Sequence, residues 1–196
     1  MIEAELKARV EDPAAVRQRL EQRVDGRNEL YRDTYYDTPA GTLAGEDREL
    51  RVRTVQGANG ARNTLTYKEA RVAGASGSKP EHETAVDNPT AMHATLRGLG
   101  YVPTISFEKH CRNYSFAAYG RQMLATLVRV PEISGTFIEL ETMAEEPELQ
   151  AALADVSTVL SELGVADDCL TTELYTETVA AAREQGRGHH PRPPGQ

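Results

Sequence analysis

The chain has 196 residues and a mass of 21.5 kDa, with 39% hydrophobic and 27% charged residues, which suits one globular domain or at most two small ones. A net charge of −8 argues against a general nucleic-acid binder, and no apolar run approaches the ~20 residues that span a bilayer. Glu3 and Glu5 stand where a secretory signal would have its basic and apolar parts, and the two distant cysteines, Cys111 and Cys169, form neither a disulfide framework nor a zinc pattern, so a cytoplasmic setting is expected.

Ile2 to Val10 alternates at period two and reads as a strand, with Glu3, Glu5, Lys7 and Arg9 on one face. Asp12-Pro13 opens a helix through Val16 and Leu20, Asp12 as cap and Pro13 at the first helical position. Glu29 to Asp37 is rich in aromatic and β-prone residues and predicts a strand, broken by Thr38-Pro39-Ala40-Gly41. Arg48 to Val55 and Asn63 to Glu69 form a hairpin around the turn residues 56–60. A flexible stretch from Ala73 to Ser78 leads into a strand from Glu81 to Val86. Asn88-Pro89 repeats the cap-plus-proline signal, and a helix follows through Met92, Leu96 and Leu99. Strands are expected near 106–116, 122–130 and 136–141, then helices over about 148–163 and 173–184. The Pro- and Gly-rich residues 186–196 read as a disordered tail, leaving residues 1–185 as the domain. Eight strands joined by turns, with four helices, predict an α+β protein whose antiparallel sheet closes into a barrel.

The strand faces carry the functional signal. Glu49, Arg51 and Arg53 share a face, as do Thr64, Thr66 and Lys68, Glu81 and Glu83, and Phe137, Glu139 and Glu141. Any one of these alternating strands is most simply half-solvated. Repeated like-charge pairs on separate strands are costly unless opposite charge lies between them. With the sheet closed and these faces inward, cation pairs and carboxylate pairs line one cavity. Arg and Lys clusters bind phosphate oxygens. Carboxylates beside phosphate need a bridging Mg²⁺ or Mn²⁺. The expected ligand is therefore a small-molecule polyphosphate with a divalent metal, and neither nucleic acid nor membrane.

At these residues the chain resembles the CYTH superfamily, which holds class IV adenylyl cyclases, thiamine triphosphatases and inorganic triphosphatases. The resemblance runs over roughly residues 1–180. It rests on Glu3-x-Glu5-x-Lys7, the run Asp33 to Pro39, Leu50-Arg51-Val52-Arg53, Thr66-Tyr67-Lys68, Glu81-x-Glu83, Phe137-x-Glu139-x-Glu141 and the closing Thr172-x-x-x-Tyr175. It implies a closed eight-stranded antiparallel β-barrel, the triphosphate tunnel, with helices packed outside. It also implies a Mg²⁺- or Mn²⁺-dependent enzyme. The first reading is class IV adenylate cyclase chemistry, ATP to cyclic AMP and pyrophosphate. The alternatives are hydrolysis of thiamine triphosphate, inorganic triphosphate or a nucleoside triphosphate, and a non-catalytic polyphosphate-binding module. Carried over, Glu3, Glu5, Glu81, Glu83, Glu139 and Glu141 resemble metal ligands. Lys7, Arg51, Arg53, Lys68, Lys109 and Arg112 resemble substrate-binding cations, and Glu5, Lys7 and Glu139 catalytic groups. Relatives are often dimers, and a homodimer is compatible with the sequence.

The pattern departs from the family in two places. Cys111 stands where Lys-x-Arg would place its arginine, and Arg112 returns to the tunnel only through a β-bulge. Val128, in Leu127-Val128-Arg129-Val130, stands where many cyclase-like members have an aspartate. Elsewhere plain structural readings are preferred. His82 and His110 alternate outward, and His189-His190 lies in the tail. Cys111 reads as a packed thiol, Tyr35 and Tyr36 as wall and core. Arg32 suits a surface pair as well as a phosphate, and Glu145-Glu146 marks a helix start.

Overall fold

A computed structural model of the chain describes residues 1–72 and 78–188. Eight strands close in the order β1-β5-β4-β3-β2-β6-β7-β8 with every neighbour antiparallel. They are β1 (Ile2–Val10), β2 (Arg27–Asp37), β3 (Glu49–Gly57), β4 (Gly60–Lys68), β5 (Lys79–Ala85), β6 (Val102–Ala118), β7 (Arg121–Arg129) and β8 (Thr136–Ala144). Five helices accompany them: α1 (Pro13–Glu21), α2 (Thr42–Gly45), α3 (Pro89–Gly98), α4 (Leu149–Glu162) and α5 (Tyr175–Gly188). The eight expected strands are all present. The helix α2 is an addition, and α5 continues through Gly188 into the stretch expected as tail. The expectations for residues 73–77 and 189–196, His189 and His190 included, lie outside the described residues.

The walls at β1, β3 and β8 have an apolar outer face and a charged inner one, as the alternation demands, while β2 and β6 carry polar pairs such as Arg32–Glu108 outside. Outside, Ala8, Ala125, Leu127, Ile138 and Leu140 pack against Val16 and Leu20 of α1 and Val156, Val159 and Leu160 of α4. Ile2, Ala4 and Ala144 meet Leu149 and Ala152. Leu50 and Val52 meet Leu96 of α3 and Leu43 of α2. Asp12 caps α1 by accepting from the Ala14 and Ala15 amides. Asn88 caps α3 through the Ala91 amide, so both cap-plus-proline signals start helices. Burial of these apolar faces forces the charged faces inward, because a one-residue slip would reverse every side chain. Among the described residues, no helix is long and apolar enough to cross a membrane.

One end of the interior is apolar. Phe107, Cys111, Val128, Val130, Ile133 and Phe137 pack there against Tyr175 and Val179 of α5. Cys111 and Val128 are direct cross-strand partners. The two departures from the family pattern therefore meet in one dry patch, and burial pushes the Cys111 thiol up to about 12.

Candidate functional site: a charged tunnel

The barrel encloses a cavity of about 540 Å³, within the range usual for small-molecule sites. Its lining includes Glu3, Glu5, Lys7, Arg51, Arg53, Lys68, Glu81, Glu83, Lys109, Glu139 and Glu141. Eleven of the twelve residues singled out from sequence thus share one enclosure. The exception is Arg112. The expected bulge falls elsewhere, where Tyr35 and Tyr36 face Ile105 and Pro103 and leave Thr104 as the extra residue. Regular alternation holds at 112, so Arg112 points outward. It donates to the Tyr114 hydroxyl (2.8 Å), Asn28 (2.9 Å) and Glu21 of α1 (2.7 Å).

The carboxylates divide into two groups. Glu3, Glu5 and Glu141 each bring a carboxylate oxygen to within 4.8 Å of the other two. Glu5 and Glu141 are direct partners across β1 and β8. Burial first, then the charges of Glu3 and Glu139, raise the Glu5 carboxyl to about 8. Burial and the charges of Glu3 and Glu5 raise Glu141 well above the carboxylate range. Glu3 escapes this. Burial opposes its ionisation, but the Lys68 ammonium hydrogen-bonds it and holds it at about 2. Lys68 also lies 2.8 Å from Glu81. Three carboxylates held this close, one buried and two half-buried, with two of them resisting ionisation, have the composition of a hard-cation site: all oxygen donors and an excess of negative charge. The residues present fit a divalent metal.

Glu139 belongs to the second group. Although burial works against it, Lys109 (3.6 Å), Lys7 and Arg53 hold it ionised below its ordinary range. Glu83 sits further out, accepting from the Thr66 hydroxyl (2.8 Å). The six carboxylates assigned to metal from sequence are therefore not one cluster.

The cations face the acidic group from β3 and β6. Arg53 makes a two-pronged contact with Asp33, 2.7 Å on each arm, and Arg51 lies 3.9 Å from the same carboxylate. Lys7 and Lys109 stand over the Tyr175 ring at 4.5 and 4.4 Å from its centre. Burial lowers the Lys7 ammonium, while for Lys109 the Glu139 charge overcomes burial and raises it. Lys7 also donates to the Glu173 carbonyl. Asp33, Lys79 and Asn113 were not among the candidates read from sequence. Asp33 was within reach, since Tyr31, Asp33 and Tyr35 alternate together on β2. Lys79 meets Glu49 at 2.8 Å, and Asn113 bonds Tyr31 and Thr126. Lys79 lies before the strand as read from sequence, whereas Asn113 falls inside its strand on the face of Lys109 and Cys111, where the period-two alternation could have found it.

A closed antiparallel barrel with cations and carboxylates interleaved along its bore, helices outside and the start of α5 against one end, defines the triphosphate tunnel fold. The chain belongs to the CYTH domain family, whose model matches residues 1–175. Among solved structures it resembles the PH1819 protein of Pyrococcus horikoshii OT3 (24% identity, 91% of this chain and 98% of that one, TM-score 0.77). It resembles a candidate adenylate cyclase from Vibrio parahaemolyticus as well (21%, 92% and 98%, TM-score 0.79). A third is the Hippeastrum adenylyl cyclase candidate HpAC1, described as having a dominant triphosphatase activity (22%, 92% and 96%, TM-score 0.61). No curated protein matches the chain in sequence.

Proposed function

We propose that the protein is a divalent-metal-dependent enzyme that acts on a linear triphosphate inside the barrel. The observation that carries this reading is the presence, in one cavity, of the Glu3, Glu5 and Glu141 cluster together with Arg51, Arg53, Lys68 and Lys109. A triphosphate carrying a divalent cation has the charge distribution to satisfy both sides. Glu3, Glu5 and Glu141 would hold Mg²⁺ or Mn²⁺, with Glu81 alongside, and the ion would supply positive charge to phosphate oxygens in the transition state. Arg51 and Arg53 offer paired donors to phosphate, and Lys7, Lys68 and Lys109 offer point charges. Glu139, ionised between Lys7 and Lys109, fixes both ammoniums. Positioning and charge neutralisation of this kind are what phosphoryl transfer requires.

The first chemistry is that of a class IV adenylate cyclase. The ribose 3′-oxygen of ATP attacks the α-phosphorus, the bond to the bridging oxygen breaks, the hydroxyl proton leaves, and cyclic AMP and pyrophosphate form. A second chemistry, attack of water on the terminal phosphorus with release of phosphate, is favoured by one observation. The inner wall at Cys111 and Val128 is apolar and brings no further polar group to a nucleotide. The triphosphatase activity ascribed to HpAC1, on a fold shared with this chain, supports the same alternative. The test is incubation of the purified protein with ATP and with tripolyphosphate, each with Mg²⁺ and with Mn²⁺, followed by separation of products. Cyclic AMP with pyrophosphate establishes the first chemistry, and released phosphate the second. Tight binding without turnover would reduce the protein to a polyphosphate-binding module, and no binding at all would end the proposal.

A further inference from the structure

Tyr175, the first residue of α5, is buried against the inner end of the tunnel and lines the cavity. Its ring is fixed from three sides. Phe137 packs edge-on at 5.2 Å and 88°, and the Lys7 and Lys109 ammoniums stand over the ring. Its hydroxyl, however, makes no hydrogen bond of acceptable geometry, although it is fully buried. Buried tyrosine hydroxyls are normally satisfied, because an unmade hydrogen bond leaves the desolvation cost uncompensated. Glu139 is a nearby acceptor, close enough to influence the phenol electrostatically but not placed for a hydrogen bond of good geometry, and its charge already answers to Lys109 and Lys7. The two ammoniums mark this as the place where negative charge is expected. The phenol, protonated at neutral pH, adds a neutral donor between them.

We infer that the Tyr175 hydroxyl is a substrate-binding donor, hydrogen-bonded to an oxygen of the phosphate that reaches the α5 end of the tunnel between Lys7 and Lys109. The inference rests on the triphosphate reading of the cavity and deepens it. It places one end of the phosphate chain against α5, where the apolar cluster of Phe137, Val128 and Val179 offers no partner to a polar substituent. That phosphate therefore carries no polar substituent, and the ligand is a triphosphate with a free terminal group at that end.

The test compares the wild type with Tyr175→Phe, which keeps the ring, its edge contact with Phe137 and both ammonium contacts. Tripolyphosphate binding is measured by calorimetry in Mg²⁺, with melting temperature as a control. The bound ligand is followed by phosphorus NMR. A hydrogen bond to a charged group predicts affinity weaker by about tenfold or more, an unchanged or higher melting temperature, and a resonance change confined to one terminal phosphorus. Equal affinity in both proteins overturns the Tyr175 assignment and leaves the tunnel reading standing. A lowered melting temperature with all three phosphorus resonances altered alike would assign the hydroxyl to packing and also overturn it. Absence of binding by the wild type would overturn the tunnel reading and this inference with it.

Discussion

Glu5 is the residue on which the metal-free protein should betray its ligand. Its folded carboxyl sits at about 8 against an ordinary 4.5, so the folded chain keeps a proton that the unfolded chain releases. Stability from such a group is complete below 4.5 and is lost as pH rises to about 8. Without metal, the melting temperature is therefore expected to fall by several degrees over that interval, each kcal/mol being worth about 2–4 °C at this size. Saturating Mg²⁺ should flatten the slope, and Glu5→Gln should flatten it without metal while abolishing the Mg²⁺-induced shift. A slope identical in wild type and variant, read by differential scanning fluorimetry, would contradict the cluster. Asp33 works in the opposite sense. Burial disfavours its charge, but Arg53 and Arg51 hold it far below its ordinary 3.8. Its contribution is present above that value and is lost as pH falls below it. Asp33→Asn leaves two buried guanidiniums short of a counter-charge, and urea unfolding at neutral pH should report a loss of about 3–5 kcal/mol. A loss under about 1 kcal/mol would mean that the pair behaves as an exposed one.

At the scale of the element, β6 separates what period two can decide from what it cannot. Lys109 and Cys111 face the bore, and Arg112 the outside, where it ties β6 to α1 and β2. Lys109→Ala should weaken tripolyphosphate binding by about tenfold or more. Arg112→Ala should leave binding unchanged and lower stability by at most about 1 kcal/mol, as befits exposed pairs. Equal loss of affinity in both variants would return Arg112 to the site. The strands were legible because β1, β3 and β8 alternate apolar and charged residues and others, β2 among them, are rich in aromatic and β-branched ones, and two of the helices because Asp12-Pro13 and Asn88-Pro89 announce them. The bulge at Thr104 was not legible, since it follows from how β2 and β6 align and leaves no mark at position 112. Nor was α2. Four residues are too few for a helical period, and its support from β2 comes from the Asp37 carboxylate accepting from the Leu43 and Ala44 amides and from Leu43 packing with Tyr36, contacts no local pattern announces.

For the whole molecule, closure is what turns five charged faces into one interior, and closure is uneven. Against β8, β1 pairs along its full length from Ile2 to Val10. Among the described residues, its pairing with β5 runs through Ile2–Pro80 and Glu3–Lys79, where proline has no amide to give, and the Glu5 amide donates to the Ser78 hydroxyl just before β5 (3.3 Å). No alternation pattern reveals such a seam, because it depends on how far each strand is offset around the barrel. Beyond Pro80, β5 is held from one side, by β4, and its outer half is exposed. The inner face of the seam is nonetheless bridged, since Lys68 of β4 joins Glu3 of β1 to Glu81 of β5. A metal and a triphosphate drawn to these groups would bind the closed seam better than the open one, and so suppress its opening. Amide hydrogen exchange should therefore find β5 the fastest-exchanging strand of the free barrel. At ligand concentrations about 100 times the Kd, its exchange should slow by up to about 100-fold. The amides of α1 and α4, packed on the outer wall, should change less. Slowing spread evenly over the chain would mean that ligand stabilises the barrel as a unit. Unchanged β5 exchange under saturating ligand would remove the seam from the binding event altogether.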